Sequence, residues 1–194
     1  MQKEKIRKRR VAWGITGAGD KIEEIINIMK KIKSDFEDTV EIHVFLSKAA
    51  DLVLKYYNLE TEVKQSFPKV MVELNSNSPF LAAWMQIHKY DFLLIAPGSS
   101  NTVAKIAHGI GDSMLSNAAS MSLKAFVNVY VVPSDYEEKT VMTLLPNGKE
   151  MKLRIRKEDA DNTRELEKMD GMKVLDSPEK IKAIFKEWYD IKLP

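Results

Sequence analysis

The stretch Phe92-Leu93-Leu94-Ile95-Ala96-Pro97-Gly98-Ser99-Ser100-Asn101-Thr102 joins the most continuous apolar run of the chain to a turn of small residues. Five apolar residues in a row, closed by proline and glycine, are typical of a strand that is buried on both faces. The pattern from Asn101 to His108 predicts a helix. A buried strand that passes through a short turn into a helix is the repeating unit of a parallel sheet.

The same unit occurs near the start of the chain. Residues 11–16 are apolar and end in Gly17-Ala18-Gly19, and the apolar residues after Asp20 recur with the spacing of one helix face. Further strands are predicted at 40–46, 69–74 and 127–132, and further helices at 22–32, 47–57, 79–88 and 113–124. Since strands alternate with helices, the pattern predicts an α/β fold with a doubly wound parallel sheet.

The pattern changes after Pro133. Two strand-like runs, 141–145 and 151–155, flank Asn147-Gly148, which is a strong hairpin signal. Residues 164–168 and 178–189 look helical. We therefore divide the chain into a ligand-binding domain at 1–135 and a small C-terminal extension at 136–194. The extension is expected to pack on the same domain, over a sheet edge or a subunit contact.

Composition excludes several classes of protein. Hydrophobic residues make up 44% and charged residues 30% of the 194 residues, and no run approaches the roughly 20 apolar residues of a membrane helix. The chain has no cysteine, so thiolate catalysis and cysteine-held iron–sulfur clusters are excluded, and its three histidines lack metal-ligand spacing. The net charge of +2 gives no reason to expect nucleic acid. We expect a cytoplasmic protein without a membrane partner or a metal.

A ligand site is expected where the strand order of such a sheet reverses, beyond the carboxyl ends of the strands. The strands at 11–16 and 92–96 most simply flank this point, and they carry the two richest small-residue turns, Thr16–Gly19 and Gly98–Thr102. Small side chains let backbone N–H groups approach a ligand, and each turn opens a helix whose N-terminus favours an anion. Side by side, the two turns predict a pocket for a phosphate and a ring.

The glycines alone leave other possibilities open. Gly14, Gly17 and Gly19 form G-x-x-G-x-G, which tight strand-to-helix packing could also require. A dinucleotide site expects G-x-G-x-x-G and an acidic residue at the end of the second strand, but that strand ends here at Ser47-Lys48, which suits a phosphate better than a ribose. The chain has no P-loop motif.

Residues 96–112 resemble the PASANT segment and the following helix of the flavin-containing cysteine decarboxylase-like superfamily. Residues 12–20, 46–50, 77–82 and 145–171 are similar to its archaeoflavoprotein branch, so the resemblance spans nearly the whole chain. It implies a Rossmann- or flavodoxin-like three-layer α/β/α fold, noncovalently bound FMN and a homo-oligomer, a trimer or a dodecamer.

The resemblance also implies roles for individual residues. Gly17, Ala18 and Gly19 would line the cofactor, Ser47 would contact the phosphate side, and Asn117 is a looser match near the flavin. Residues 99–102 would contact both the phosphate and the ring. The predicted cofactor-binding set is Thr16, Gly17, Ala18, Gly19, Ser47, Pro97, Gly98, Ser99, Ser100, Asn101, Thr102 and Asn117.

Two departures from the decarboxylases decide the expected activity. The decarboxylases have a histidine on a helix at a position that falls near Ala82-Ala83-Trp84 here, where this chain has no histidine. Their substrate clamp P-x-M-N-x-x-M-W corresponds to Pro133-Ser134-Asp135-Tyr136-Glu137, which does not match it. Decarboxylation is therefore not the expected activity. We assign no catalytic residue, and Trp84 becomes the best candidate for a wall against the flavin ring. Since FMN itself carries redox chemistry, we predict electron transfer from a ferredoxin-type or other low-potential donor. The alternatives are a reductase of a pterin-like substrate, a divergent decarboxylase or prenyltransferase, and a non-catalytic subunit.

Overall fold

A computed structural model describes residues 8–145 and 147–189 of the chain. The basic segment before Lys8 and the residues after Tyr189 lie outside the described residues. The strands are β1 (Arg9–Ile15), β2 (Val40–Leu46), β3 (Lys69–Val72), β4 (Leu93–Gly98), β5 (Val129–Pro133), β6 (Thr140–Leu144), β7 (Glu150–Arg154) and β8 (Met172–Val174). The helices are α1 (Ile22–Asp35), α2 (Lys48–Tyr56), α3 (Glu60–Ser66), α4 (Leu81–Gln86), α5 (Ser100–Ala107), α6 (Met114–Lys124), α7 (Lys157–Glu167) and α8 (Ile181–Tyr189), with a short 3₁₀ turn at Pro178–Lys180.

Six strands form one parallel sheet in the order β3-β2-β1-β4-β5-β8. The order reverses between β1 and β4, which pair with Gly14 opposite Ile95. This topology confirms the predicted doubly wound α/β fold and the predicted neighbours at the switch point. Among the described residues, no helix is long and apolar enough to cross a membrane.

Helices cover both faces of the sheet because the strands are apolar on both sides. Leu94 packs into a core with α1, α2, α3 and α8, whereas Leu93 and Ile95 pack into a second core with α4, α5, α6 and α7. Helix α1 shows how sequence determines this arrangement, because its buried residues recur every three or four positions: Ile22, Ile25, Ile26, Ile28, Met29 and Ile32. Each such side chain contributes about 1.5–3 kcal/mol when fully buried.

The predicted hairpin is confirmed as β6 and β7, which pair in antiparallel register from Thr140 opposite Arg154 to Leu144 opposite Glu150. The rest of the C-terminal region enters the main fold. Helix α7 packs on α5, and β8 extends the sheet beyond β5, with Val129 opposite Met172. The predicted helix at 164–168 is therefore the end of a longer helix.

Two elements were missing from the sequence prediction. Strand β8 has only three residues, and its exposed Lys173 breaks any continuous apolar run, so its sequence gives no strand signal. Helix α3 follows α2 after only three residues and buries only Val63 among its own residues. Tertiary packing, rather than local pattern, places both elements.

Candidate functional site

The two small-residue turns meet at the switch point and are hydrogen-bonded to each other. The Thr16 hydroxyl donates to the Pro97 carbonyl oxygen at 2.7 Å and accepts from the Ser99 backbone N–H at 2.7 Å. The Thr16 backbone N–H also reaches the Pro97 carbonyl oxygen at 3.2 Å. Since Thr16 is only 1% exposed, these bonds lie out of water and fix one turn against the other.

Two further contacts hold the surrounding loops. The Trp13 indole N–H donates to the Ala96 carbonyl oxygen at 2.8 Å, and Trp13 is fully buried in the core. The Ser134 backbone N–H donates to the Gly98 carbonyl oxygen at 2.8 Å, so the loop after β5 is attached to the loop after β4. Three loops at the carboxyl ends of β1, β4 and β5 therefore form one connected surface.

Three helices begin at this surface, and each has a serine at its N-cap. The Ser47 hydroxyl accepts from the Ala50 N–H, the Ser99 hydroxyl from the Thr102 N–H, and the Ser113 hydroxyl from the Ser116 N–H. Between them lies a hollow of about 380 Å³. We call it the serine hollow; it is lined by Gly17, Ser47, Lys48, Ala49, Glu73, Ser99, Ser100, Asn101, Thr102, Lys105, Ser113 and Leu115.

Glu73 closes one side of the serine hollow. It follows β3 directly, is 8% exposed, and accepts hydrogen bonds from the backbone N–H groups of Lys48 at 3.2 Å and Met114 at 2.7 Å. These are the first residues of α2 and α6, so one carboxylate caps two helices. The N-terminus of α5 is where Ser100 and Asn101 present N–H groups without an intrahelical partner, and this is the end of the hollow that suits an anion.

A second, larger space adjoins the serine hollow and shares Gly17, Ser99 and Ser100 with it. We call this space of about 790 Å³ the hairpin chamber, because residues of β6 and β7, including Val141 and Leu153, form one wall. Other walls come from residues 17–21, 133–137 and the start of α7. The two spaces together offer a polar end and a broad, mixed end, which is the arrangement of a pocket for a phosphorylated ring compound.

Gly17 is required by packing as well as by its place in the pocket. A Cβ atom on Gly17 would lie 2.6 Å from the Cβ of Ala49, at the start of α2. The alternative interpretation of the glycine turn, close packing of the strand-to-helix connection, therefore accounts for Gly17 at least in part.

The environment of Asp135 is the main electrostatic feature of the hairpin chamber. Burial raises the pKa of the Asp135 carboxyl above its ordinary value, and the neighbouring carboxylate of Asp159 adds to the rise, while hydrogen bonds from Ser100 and Ser134 oppose it. Asp159 itself is held ionised, because Arg156 donates two hydrogen bonds to it at 2.8 and 2.7 Å and so lowers its pKa. Within residues 8–145 and 147–189, no group of three or more His, Asp or Glu residues is arranged to hold a metal ion.

The model of the Flavoprotein family matches residues 1–192 of the chain. The chain is a member of the Flavoprotein family. This confirms the family membership predicted from the resemblance of residues 96–112.

Relatives of this flavoprotein cover it almost completely. An uncharacterised protein of Methanocaldococcus jannaschii is 41% identical over 183 residues, which are 94% of this chain and 97% of the relative. The dihydromethanopterin reductase (acceptor) of the same organism is 28% identical, covering 91% of this chain and 95% of the relative. The DmrB protein of Burkholderia xenovorans, solved in complex with FMN and described as a cubic protein cage for redox transfer, is similar in structure, with a TM-score of 0.80 and 29% identity over 95% of this chain and 97% of that one.

Most of the residues predicted to bind the flavin come together in the structure. Those that line the serine hollow or the hairpin chamber are Gly17, Ala18, Gly19, Ser47, Ser99, Ser100, Asn101 and Thr102. Thr16, Pro97 and Gly98 lie behind this lining and position it: Thr16 and Pro97 bond the turns together, and the Gly98 carbonyl oxygen accepts from Ser134.

Two predicted residues lie elsewhere. The Asn117 side-chain amide donates to the Ser76 carbonyl oxygen and to the Asn77 side-chain oxygen, both at 3.0 Å, and Asn117 lines neither space. Trp84, the candidate wall for the ring, instead packs against Phe45 and Tyr90 and lines neither space. The sequence position that corresponds to the decarboxylase histidine is therefore not a position beside these cavities.

Three residues that shape the two spaces were among those not predicted. Glu73 and Ser113 reach the serine hollow from β3 and α6, and Asp135 reaches the hairpin chamber from the loop after β5. A usable signal existed for Ser113, because Ser113 and Ser116 have the spacing of an N-terminal helix cap. Asp135 lies in the segment that corresponds to the decarboxylase clamp, but the sequence does not indicate that its carboxyl lies beside Ser100.

Proposed function

We propose that this chain binds FMN across the serine hollow and the hairpin chamber and acts as a flavin-dependent redox protein. The observation that carries the proposal is the direct bonding of the Thr16–Gly19 and Gly98–Thr102 turns, which places two adjoining spaces at the switch point. FMN fits the residues that are present. The N-terminus of α5 suits its phosphate, and the chamber has room for its ring system.

The residues of the chain have distinct tasks in this proposal. Ser100 and Asn101 would hold the phosphate through their backbone N–H groups, and the Asn101 side-chain amide would donate a further hydrogen bond. Lys48 would add positive charge, while Lys105, which also lines the hollow, pairs with Asp112 at 2.8 Å. The hairpin wall would limit access of water to the ring. When bound, FMN supplies one- and two-electron chemistry, so the protein needs to supply only binding, orientation and electrostatics.

The proposed electron source is a ferredoxin-type protein or another low-potential donor. The chain has no cysteine and therefore no iron–sulfur cluster of its own. An anaerobic titration of the FMN-loaded protein with reduced ferredoxin and, separately, with NAD(P)H should bleach the flavin absorbance with the donor that it uses. If neither donor reduces the bound flavin, the proposed role in electron transfer is wrong.

A second candidate function is the reduction of a pterin-like acceptor. The similarity to the dihydromethanopterin reductase of M. jannaschii, over nearly the full length of both chains, favours it. The hairpin chamber extends beyond the turns that we assign to FMN and offers space for an acceptor. Oxidation of the reduced protein by dihydromethanopterin, followed at the flavin band, distinguishes a reductase from a carrier that serves only protein partners.

We also propose that the chain forms a homo-oligomer, a trimer or a larger assembly built from trimers. Two large apolar residues in the connection between β3 and α4 are exposed: Leu74 has 70% and Phe80 has 63% of its surface accessible to solvent. A subunit contact would bury them. The similar DmrB protein is described as a cubic cage. Light scattering coupled to size-exclusion chromatography measures the assembly, and a monomer at micromolar concentration would contradict the proposal.

The proposed phosphate contact predicts the effect of Asn101→Ala. Asn101 is exposed on the second position of α5 and lines the serine hollow. Loss of one hydrogen bond to a charged group costs about 1.5–3 kcal/mol, so FMN affinity should fall at least about tenfold. The free energy of unfolding without ligand should change by less than about 0.5 kcal/mol.

Fluorescence quenching of FMN measures this affinity. Asn27→Ala is the matched control, because Asn27 is also an exposed helix asparagine but lies on α1, outside the serine hollow. Equal affinity in the Asn101→Ala and Asn27→Ala proteins would show that the Asn101 side chain does not hold the phosphate.

A further inference from the structure

Asp135 stands on the wall of the hairpin chamber in a fixed position. Its backbone carbonyl oxygen accepts from the Thr163 hydroxyl of α7 at 2.9 Å, and the preceding residue, Ser134, is bonded to Gly98. Its carboxyl interacts with the Ser100 side chain, at the boundary between the chamber and the serine hollow. The carboxyl group is therefore held beside the turn that we assign to the flavin.

The charges around Asp135 favour its neutral form. Asp159 of α7 and Asp20, which precedes α1, face it with negative charge. Arg156 also lies near Asp135, but its guanidinium group donates to Asp159 in a bidentate pair. A ligand that fills the chamber removes water from the carboxyl and penalises its charged form further.

We propose that Asp135 keeps a proton on its carboxyl group and donates it, as a hydrogen bond, to an acceptor atom of the ring system that occupies the hairpin chamber. This inference rests on the proposed function, since it takes the FMN ring as that occupant. The acceptor is a carbonyl oxygen or an unprotonated ring nitrogen, because only such atoms accept a hydrogen bond. Asp135 is thus a binding and positioning residue that the comparison with the decarboxylases does not assign.

The sign of the pH dependence follows from the raised pKa of Asp135. Below that pKa the carboxyl carries the proton that the ligand accepts, and binding is strong. As the pH rises through that pKa, the carboxylate forms, the donor is lost, and binding weakens. Ligand binding is therefore coupled to proton uptake.

FMN affinity should be measured by fluorescence quenching from pH 4.5 to 8.5 for the wild type and for Asp135→Asn and Asp135→Ala. Asparagine keeps a hydrogen-bond donor at every pH, so the ratio of wild-type to Asp135→Asn affinity should fall about tenfold or more across the titration. The phosphate group of FMN titrates with a second pKa of about 6 in all the proteins and cancels in this ratio. Asp135→Ala should bind weakly throughout. Glu138→Gln, which changes an exposed carboxylate on the same loop that lines neither space, should follow the wild type.

A second measurement does not depend on affinity. The ¹³C shift of the Asp135 carboxyl should titrate at a higher pH in the FMN complex than in the free protein. If the ratio of wild-type to Asp135→Asn affinity stays constant with pH, or increases with pH, the inference is wrong while FMN binding stands. If the wild type shows no saturable FMN binding, the proposed function and this inference fail together.

Discussion

Replacing Glu73 by alanine is expected to lower the free energy of unfolding by about 3 kcal/mol, since it removes the side chain that accepts two hydrogen bonds. The bonds from the Lys48 and Met114 N–H groups are both lost, and the two helix N-termini that they cap lie next to each other in the serine hollow. Because Glu73 is buried, water does not replace the carboxylate freely. Urea denaturation followed by circular dichroism measures the change.

Two controls interpret the Glu73→Ala result. Glu73→Gln keeps one acceptor oxygen but turns an amide N–H₂ toward the other helix. It should therefore lower the free energy of unfolding measurably, but by less than Glu73→Ala does. Glu150→Ala removes an exposed glutamate from β7 and should change stability by less than about 0.5 kcal/mol. A Glu73→Ala protein as stable as the Glu150→Ala protein would mean that α2 and α6 do not depend on this carboxylate.

Replacing Thr16 by valine should have the second-largest effect, on both stability and FMN binding. Valine has almost the same shape but lacks the hydroxyl, so the half-buried Ser99 N–H loses its acceptor and the Pro97 carbonyl oxygen loses one donor. Each unsatisfied buried group costs about 1–3 kcal/mol, and we expect a total loss of about 2 kcal/mol. Since the bond aligns the two turns, FMN affinity should fall about tenfold or more, as measured by fluorescence quenching.

Thr16→Ser is the matched control, because it retains the hydroxyl and removes only a methyl group. It should lose about 1 kcal/mol or less in stability and keep near wild-type FMN affinity. If the serine and valine proteins bind FMN equally well, the hydrogen bonds between the turns do not matter for the pocket.

The sequence allowed the position of the candidate site to be predicted, because that position depends on topology and on local signals. The strands at 11–16 and 92–96 are the most apolar runs of the two halves, and parallel crossovers bring their carboxyl ends together. The turns after them are rich in small residues, and the structure confirms their contact through Thr16 and Pro97. Helix N-caps such as Ser99 also depend on local sequence, because a serine just before a helix is a common capping residue.

The residues that the sequence did not reveal act over long separations along the chain. Glu73 contacts Met114, 41 positions away, and nothing in the local pattern around Glu73 indicates a double helix cap. Asp135 acquires its environment from Ser100 and from α7, which follows the hairpin. Strand β8 is too short for a periodic signal and forms because β5 presents an unpaired edge.

Hairpin β6–β7 is an excursion within the connection from β5 to β8, and it contributes to the chamber but not to the serine hollow. In the proposed arrangement, relatives that exchange or resize this excursion would change the space offered to an electron acceptor, while the anchoring of the phosphate stays unchanged. A chimaera that carries the hairpin of another family member would then keep its affinity for FMN, but a different acceptor would reoxidise the reduced flavin. In this architecture, cofactor retention and acceptor choice can evolve as separate modules.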